Sequence, residues 1–415
     1  MTDLNGTAPP LPQRSGLPTA APNGHVAAIL LSFLTTAGLF YVNIMPALVS
    51  GLVSGMGLSR AAAGYVASAN VYGAALGAFT AVFVIKRLRW KAAAVIALLC
   101  MTGVDFVSSL QTTGNILVPL RFLHGMAGGF LVGIGFSVIA RTAVPDRVFG
   151  MLLVVQYGLG GVGLMTLPRL VPIYGTEVLF YALIAFSLVT LLMVPFLDAY
   201  PPKPKKLPTP DDDGNDRVVL RPLVLALLAV FCFQAANMGL AAYVIELGKN
   251  AGLGTDSISN SLGFANWIAV LGALAVYFFG LKNGRTLPLI AGFVLTLAGM
   301  AMFHLSHYGS LFFLANIITG ITWAFMIPYL LGMCAAFDSH GRMATLSGFF
   351  SKLGLASGPA LAALLIGSND YDQIIAMAII GIVLSAATAM MPARLLDRQA
   401  EPSPGQIYNK GTTDQ

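Results

Sequence analysis

Two charged residues, Asp105 and Arg121, stand in neighbouring apolar runs, 91–111 and 115–140. If the first run crosses an apolar layer and the second returns, each lies six positions from the shared turn, roughly 9 Å deep at about 1.5 Å per residue. At matched depth they can meet. Charge inside a bilayer is costly and is kept where it is paired, faces a cavity or works on an ion path. The pair is thus either a structural ion pair tying two helices together or a proton-transfer site. His124 follows one helical turn after Arg121, far from the ends of its run. An imidazole, with an ordinary pKa of about 6.5, suits proton exchange; a neutral packed ring is the alternative.

Lys352 is the other deep cation. It sits about eight residues inside the run 344–367, roughly 12 Å from its edge at the helical rise, too deep to reach the surface comfortably. We read it as facing a cavity, where an ammonium would attract a carboxylate or phosphate or exchange a proton; pairing with a carbonyl or a neighbouring helix is the alternative. Neutral hydrogen-bonding groups gather at similar depth. Gln234 and Asn237 are three apart and share a helix face. Asn70, Gln156 and Tyr157 fall at comparable depth, and Asn43, Asn266 and Asn316 lie nearer the opposite surface. Singly, each is polar glue between helices; as a set drawn from both parts of the chain they line a cavity. Trp267 and Trp323 are positioned to stack on a ring-bearing ligand or to pack against lipid.

The elements that position these residues follow from composition. Of 415 residues 57% are hydrophobic and 10% charged, against about 25% charged in an ordinary globular domain; the mean hydropathy is +0.79. Runs of about twenty apolar residues, enough for a hydrocarbon core of roughly 30 Å, recur along the chain. Splitting them at polar or Gly/Pro turns predicts twelve spans: 26–50, 61–85, 91–111, 115–140, 148–170, 176–197, 221–248, 259–281, 286–305, 309–335, 344–367 and 371–392. The fold class is an all-α membrane protein with twelve transmembrane helices.

Residues 1–25 are Pro-rich and polar, without the layout of a signal peptide, so a disordered tail and a retained first span are expected. Cys100, Cys232 and Cys334 show no paired spacing, which argues against disulfides and a metal site and reads as small core residues. Most of the 23 Lys and Arg fall in segments that share one side with both termini, which places the termini in the cytoplasm of a cell (inner or plasma) membrane. They are scattered over short loops without interleaved exposed aromatics, so no nucleic-acid partner is expected. Glu246 and Glu177, close to the opposite ends of their spans, are expected at headgroups or solvent.

Residues 199–222 combine prolines with a short acid run and no apolar periodicity, the composition of a solvated linker. The expected organisation is a tail 1–25, a six-helix half 26–198, a cytoplasmic linker 199–220, a second half 221–393 and a tail 394–415. The halves echo one another: Arg121 to Gly125 (RFLHG) and Asn316 to Gly320 (NIITG) occupy the same place in each. Gly163 precedes Pro168 by five residues, as Gly354 precedes Pro359. Two joined six-helix halves are the plan of secondary transporters with repeated halves and a midplane site.

From 26 to 392 the chain resembles the major facilitator superfamily. Arg121, Gly125 and Gly129 are similar to the Arg-x-x-x-Gly pattern of that family's fourth helix, and the resemblance implies a part in proton coupling for Arg121. GLGGVGLMTLP (Gly158 to Pro168) is similar to the glycine-rich fifth helix associated mainly with antiporters, with Leu167-Pro168 in place of the usual Gly-Pro. SKLGLASGP keeps that pair as Gly358-Pro359. The family's loop motif departs from its pattern: Ile85 and Leu88 stand where the acid and central glycine would be, and in Gly280 to Arg285 (GLKNGR) Leu281 replaces the acid. Glycines four apart (Gly73 and Gly77; Gly125, Gly129 and Gly133; Gly354 and Gly358) let helix backbones approach closely in lipid, either as static packing or as sliding faces.

No HExxH, CxxC, Gly-x-Ser-x-Gly or P-loop pattern occurs, so neither an enzyme, a bound cofactor nor ATP-driven pumping is indicated. The expected protein is a monomeric, proton-coupled carrier of a small solute. Two deep cations against one deep acid favour an organic anion. A proton-driven exporter of lipophilic compounds is the second reading, and a sensor or scaffold that moves nothing is the third.

Overall fold

The computed structural model describes residues 18–85, 88–201, 220–280, 284–337, 342–366 and 370–400. Every predicted span is helical. The first crossing is in three pieces, α1a His25–Ala37, α1b Phe40–Asn43 and α1c Met45–Met56. Then come α2 Arg60–Val84, α3 Trp90–Ser109, α4 Gly114–Ile139, α5 Pro145–Tyr174 and α6 Glu177–Met193. The second half holds α7 Leu220–Asn250, α8a Thr255–Ile268, α8b Val270–Phe279, α9 Thr286–Met302, α10 Gly309–Ala335, α11 Arg342–Leu365 and α12 Tyr371–Ala400. Eleven crossings among the described residues are long and apolar enough to span a membrane, and the broken first one completes twelve. Large apolar side chains such as Phe83, Ile96 and Leu192 are exposed on the outside, as a lipid-facing surface requires.

Local chemistry accounts for the breaks. Pro46 lacks the N–H that would bond the Val42 carbonyl and its ring would crowd that carbonyl; Ile44 leaves helical angles and the chain restarts at Met45, with Pro46 in the first turn. Gly57, at φ +68°, ends α1c in the left-handed region that favours glycine, and the Ser59 hydroxyl caps α2 by accepting from the Ala62 N–H at 3.1 Å. The four-residue glycine spacing places α2 directly on α4: a Cβ at Gly73, Gly77, Gly125 or Gly129 would strike backbone atoms of the facing helix. Gly354 and Gly358 do the same for α11 against α7.

Several expectations need correction. Residues 18–24 are docked: Ala20 N–H donates to the Phe196 carbonyl at 2.8 Å, Tyr200 hydroxyl to the Pro22 carbonyl at 2.8 Å, and Ala143 N–H to Asn23 at 2.9 Å. The disorder expected over 1–25 therefore fails there, while residues 1–17 lie outside the described residues. So do the linker over 202–219, the tail beyond Ala400, and Lys86, Arg87, Leu281 and Lys282 of the loop motifs. The boundary at 393 cuts α12, which runs on to Ala400. Cys100, expected in the core, is exposed.

The loop acid missing after α8b is replaced from elsewhere. Asp397, near the end of α12, accepts from the Arg285 and Thr286 N–H groups at 2.7 and 2.8 Å, at the start of α9. A carboxylate there satisfies orphan donors and faces the positive end of the helix dipole. The corresponding start of α3 is held differently, by Lys91 donating to the Leu197 carbonyl beyond α6.

Candidate functional site

The close approach of α2 to α4, with α3 beside them, builds a sealed polar cluster inside the first half. Asp105, from α3, and Arg121, from α4, are both fully buried, and Nη1 donates to Oδ1 at 2.7 Å. Arg121 Nη2 also donates to the Val104 carbonyl at 3.3 Å and to the Ser108 hydroxyl. Its guanidinium lies 5.1 Å from the Phe180 ring centroid and 6.0 Å from that of Tyr41. Equal depth, read from the chain, thus becomes a direct contact.

His124 faces the same carboxylate, with Nε2 3.2 Å from Asp105 Oδ2. On the other side of the ring, Asn70 Nδ2 stands 2.8 Å from His124 Nδ1 and donates to the Arg121 carbonyl at 3.1 Å. That carbonyl turns the Asn70 amide so that its nitrogen meets the imidazole. Nδ1 is then the acceptor, which puts the proton of the neutral ring on Nε2, towards Asp105. The approach is not aligned as a hydrogen bond: Asp105 Oδ2, His124 Nε2, Arg121 Nε and the Tyr41 hydroxyl are buried without hydrogen-bond partners. Buried polar atoms are nearly always paired; of these four, Asp105 Oδ2 and the Tyr41 hydroxyl have open lone pairs, while Arg121 Nε and His124 Nε2 are unmatched donors.

This cluster does not reach the cavity. A cavity of about 370 Å³ lies between the halves, within the usual range for small-molecule sites. Nine of the residues expected there line it: Lys352, Asn43, Gln156, Tyr157, Gln234, Asn237, Asn266, Asn316 and Trp323, joined by Thr319. Asn70 and Trp267 do not. Asn70 belongs to the buried cluster, because its helix face is turned to α4. Trp267 is partly exposed at the α5–α8a contact, where Nε1 donates to the Gly158 carbonyl at 3.0 Å and the ring packs edge-on to Phe264.

Lys352 is partly buried and has no ion-pair or hydrogen-bond partner among the described residues. Beside it Trp323 Nε1 donates to Gln234 Oε1 at 2.7 Å, and Gln234 Nε2 donates to the Ser351 hydroxyl at 2.7 Å. This chain fixes the indole against the wall. Across the cavity, Gln156 Nε2 donates to Asn43 Oδ1 at 3.0 Å.

A third set of charges, which sequence reasoning missed, joins the halves at the end opposite the termini. Glu246, expected at solvent, is 5% exposed. It accepts from the Ser50 hydroxyl at 2.7 Å and from Lys249 at 2.9 Å, and pairs with Arg60 at 3.8 Å. Arg60 also lies 5.7 Å from the Tyr371 ring centroid, and the Tyr243 hydroxyl donates to its carbonyl at 3.0 Å. Arg169 pairs with Asp256 at 2.6 Å nearby. The sequence signal was the i, i+3 spacing of Glu246 and Lys249. Nearer the other end the halves meet through rings, Phe79 and Phe349, 5.3 Å apart.

Comparison with known proteins agrees with this layout. The family model of the Major Facilitator Superfamily matches residues 28–363. Among solved structures, the chain is similar to the nucleoside transporter NupG, with a TM-score of 0.64 and 15% identity, covering 91% of this chain and 99% of that one. It is also similar to a D-xylose-proton symporter, with a TM-score of 0.67 and 12% identity, covering 88% and 96%. At such identities the likeness is one of fold. No curated protein sequence matches the chain.

Proposed function

The chain belongs to the major facilitator superfamily, and on that premise we propose that it is a proton-coupled secondary transporter of a small organic anion, with a carboxylate as the charged group. One observation carries the choice of substrate: the Lys352 ammonium borders the cavity shared by both halves and no acid among the described residues neutralises it. A desolvated cation without a partner is costly, and an incoming carboxylate removes that cost. Arg121, the other deep cation, already has Asp105 and adds nothing to the cavity.

Coupling is assigned to Asp105, Arg121 and His124. Asp105 is the acid whose second oxygen is open to a proton, His124 the neighbour whose Nε2–H faces that oxygen, and Arg121 the fixed counter-charge that keeps the carboxylate in place. Alternating access follows from the contacts between halves. The far end is tied by Arg60–Glu246 and Arg169–Asp256, and rocking would break these pairs while the midplane site stays in place. The moving units are residues 26–198 and 220–400, with the connection 199–219 and both termini in the cytoplasm of the cell membrane, where basic loop residues belong; the unit acts as a monomer.

The apolar part of the cavity wall, including Val42, Leu153, Met238 and Ile327, also suits a lipophilic compound, the reading of a proton-driven exporter. A thermal-shift screen separates the two, since a ligand that binds the native state raises its apparent stability. Organic acids should raise the melting temperature and neutral lipophiles should not; the opposite pattern would establish the exporter.

A further inference from the structure

Each side-chain amide around the cavity donates one of its two N–H groups to the protein, which sets the orientation of the amide. Asn237 Nδ2 donates to the Phe233 carbonyl at 2.9 Å, Asn316 Nδ2 to the Phe312 carbonyl at 2.8 Å, and Asn266 Nδ2 to the Tyr157 carbonyl at 2.7 Å. Gln156 Nε2 is held by Asn43, and the Trp323 N–H is held by Gln234. Because N and O occupy opposite arms of a planar amide, each nitrogen bond fixes where the oxygen stands. The oxygens of Asn237, Asn266, Asn316 and Gln156 accept from no described group, and none is among the sealed, unpartnered atoms of the protein. They remain open to the cavity. The Thr319 hydroxyl donates to the Ala315 carbonyl at 2.8 Å and so offers only its lone pairs.

The wall is therefore polarised. Its acceptors come from α5, α7, α8a and α10, and its one full cation among the described residues is Lys352 on α11. The Tyr157 hydroxyl can turn either way. A carboxylate is drawn to the ammonium, because a full charge binds it more strongly than the remaining amide N–H groups do. A ligand body without donors would strip water from those oxygens and give nothing back, a penalty that discriminates strongly where acceptors are buried.

We propose that the substrate is an organic anion that also carries hydrogen-bond donors, hydroxyl or N–H groups, on the body remote from its carboxylate: a hydroxylated acid rather than a plain aromatic or aliphatic one. This rests on the organic-anion reading above. It adds Asn237, Asn266, Asn316 and Gln156 as the residues that set specificity for the body of the molecule.

The test is calorimetric titration of the full-length protein in detergent with two matched series. The first is 3,4-dihydroxybenzoate, 3,4-dimethoxybenzoate and 3,4-dihydroxybenzamide; the second is gluconate, hexanoate and glucose. In at least one series the hydroxylated acid should bind about tenfold tighter than the acid without donors, the scale of one or two neutral hydrogen bonds. Asn237→Leu and Asn316→Leu should each shrink that ratio, weakening the hydroxylated acid and sparing the donor-free acid the dehydration of one amide oxygen. Equal affinity for the two acids, with binding still sensitive to Lys352→Gln, would overturn the donor proposal and leave the organic-anion reading standing. If the neutral hydroxylated compound binds as tightly as its acid and Lys352→Gln changes nothing, the anion reading fails while the donor preference survives. Absence of binding by every acid in both series would overturn both.

Discussion

Arg121 in the first half and Lys352 in the second are both cations inside apolar helices, and their surroundings differ in kind. Arg121 is fully enclosed, with a carboxylate, a hydroxyl and a carbonyl around its guanidinium. Lys352 borders a cavity and has no acid within reach among the described residues. A buried charge with its own partner belongs to the protein. One left open beside a cavity belongs to whatever enters. In the proposed mechanism the same division separates proton chemistry, assigned to the cluster between α2, α3 and α4, from substrate chemistry, assigned to the cavity between the halves.

Removing the partner of Arg121 is the largest expected perturbation. Asp105→Ala should cost about 3–5 kcal/mol of stability, because it leaves an uncompensated buried guanidinium; unfolding in detergent measures it. The contrasting change, Lys352→Gln, should leave stability equal to or above that of the parent and weaken carboxylate binding by about 1.5–3 kcal/mol, the scale of a hydrogen bond to a charged group. Lys352→Arg should restore part of that, since a planar guanidinium needs another approach geometry. If Lys352→Gln destabilises as much as Asp105→Ala, the distinction between the two cations is lost.

Glu246→Gln tests charge shared between the halves. It removes the acid facing Arg60 and Lys249 and should loosen the far end, costing about 1–3 kcal/mol as the buried hydrogen bonds weaken. A cysteine placed at Val244, in a background lacking Cys100, should then be labelled faster from the side opposite the termini; an unchanged labelling rate would show that this end is not the closed gate. The smallest effect is expected at Asn70. Asn70→Leu removes the donor to His124 Nδ1 and to the Arg121 carbonyl, at a cost of about 1–2 kcal/mol. It should reduce gradient-driven transport more than substrate exchange, whereas a purely structural role would lower both alike.

What the sequence revealed depended on whether a residue's setting is local. Asp105 and Arg121 could be paired from depth alone, because two adjacent helices share one turn. Lys352 and most of the amides were placed at the cavity by the same counting. Asn70 was not, since depth does not say which face of α2 a side chain occupies; the packing of Gly125 against the Asn70 backbone decides that. Trp267 fell outside because α8 breaks at Ala269 and its last turn packs on α5. Nearness to a helix end places Glu246 at headgroups or solvent, yet that end leans on α1c and α2, which bury it. Asp397 at the start of α9 joins positions more than a hundred residues apart, a contact that no local pattern announces. The break in α1 did have a local sign, Pro46, hidden within an apolar run long enough to read as one helix.

The account rests on proton and substrate being handled at separate places, and transport by Asp105→Asn protein in liposomes tests that most directly. Uptake of the organic anion driven by an imposed pH gradient is measured beside exchange of the same anion without one, at a temperature where the variant remains folded. Separate sites predict that gradient-driven uptake is abolished while exchange persists at a substantial fraction of the parent rate. Equal loss of both in folded protein, or undiminished gradient-driven uptake, would contradict it.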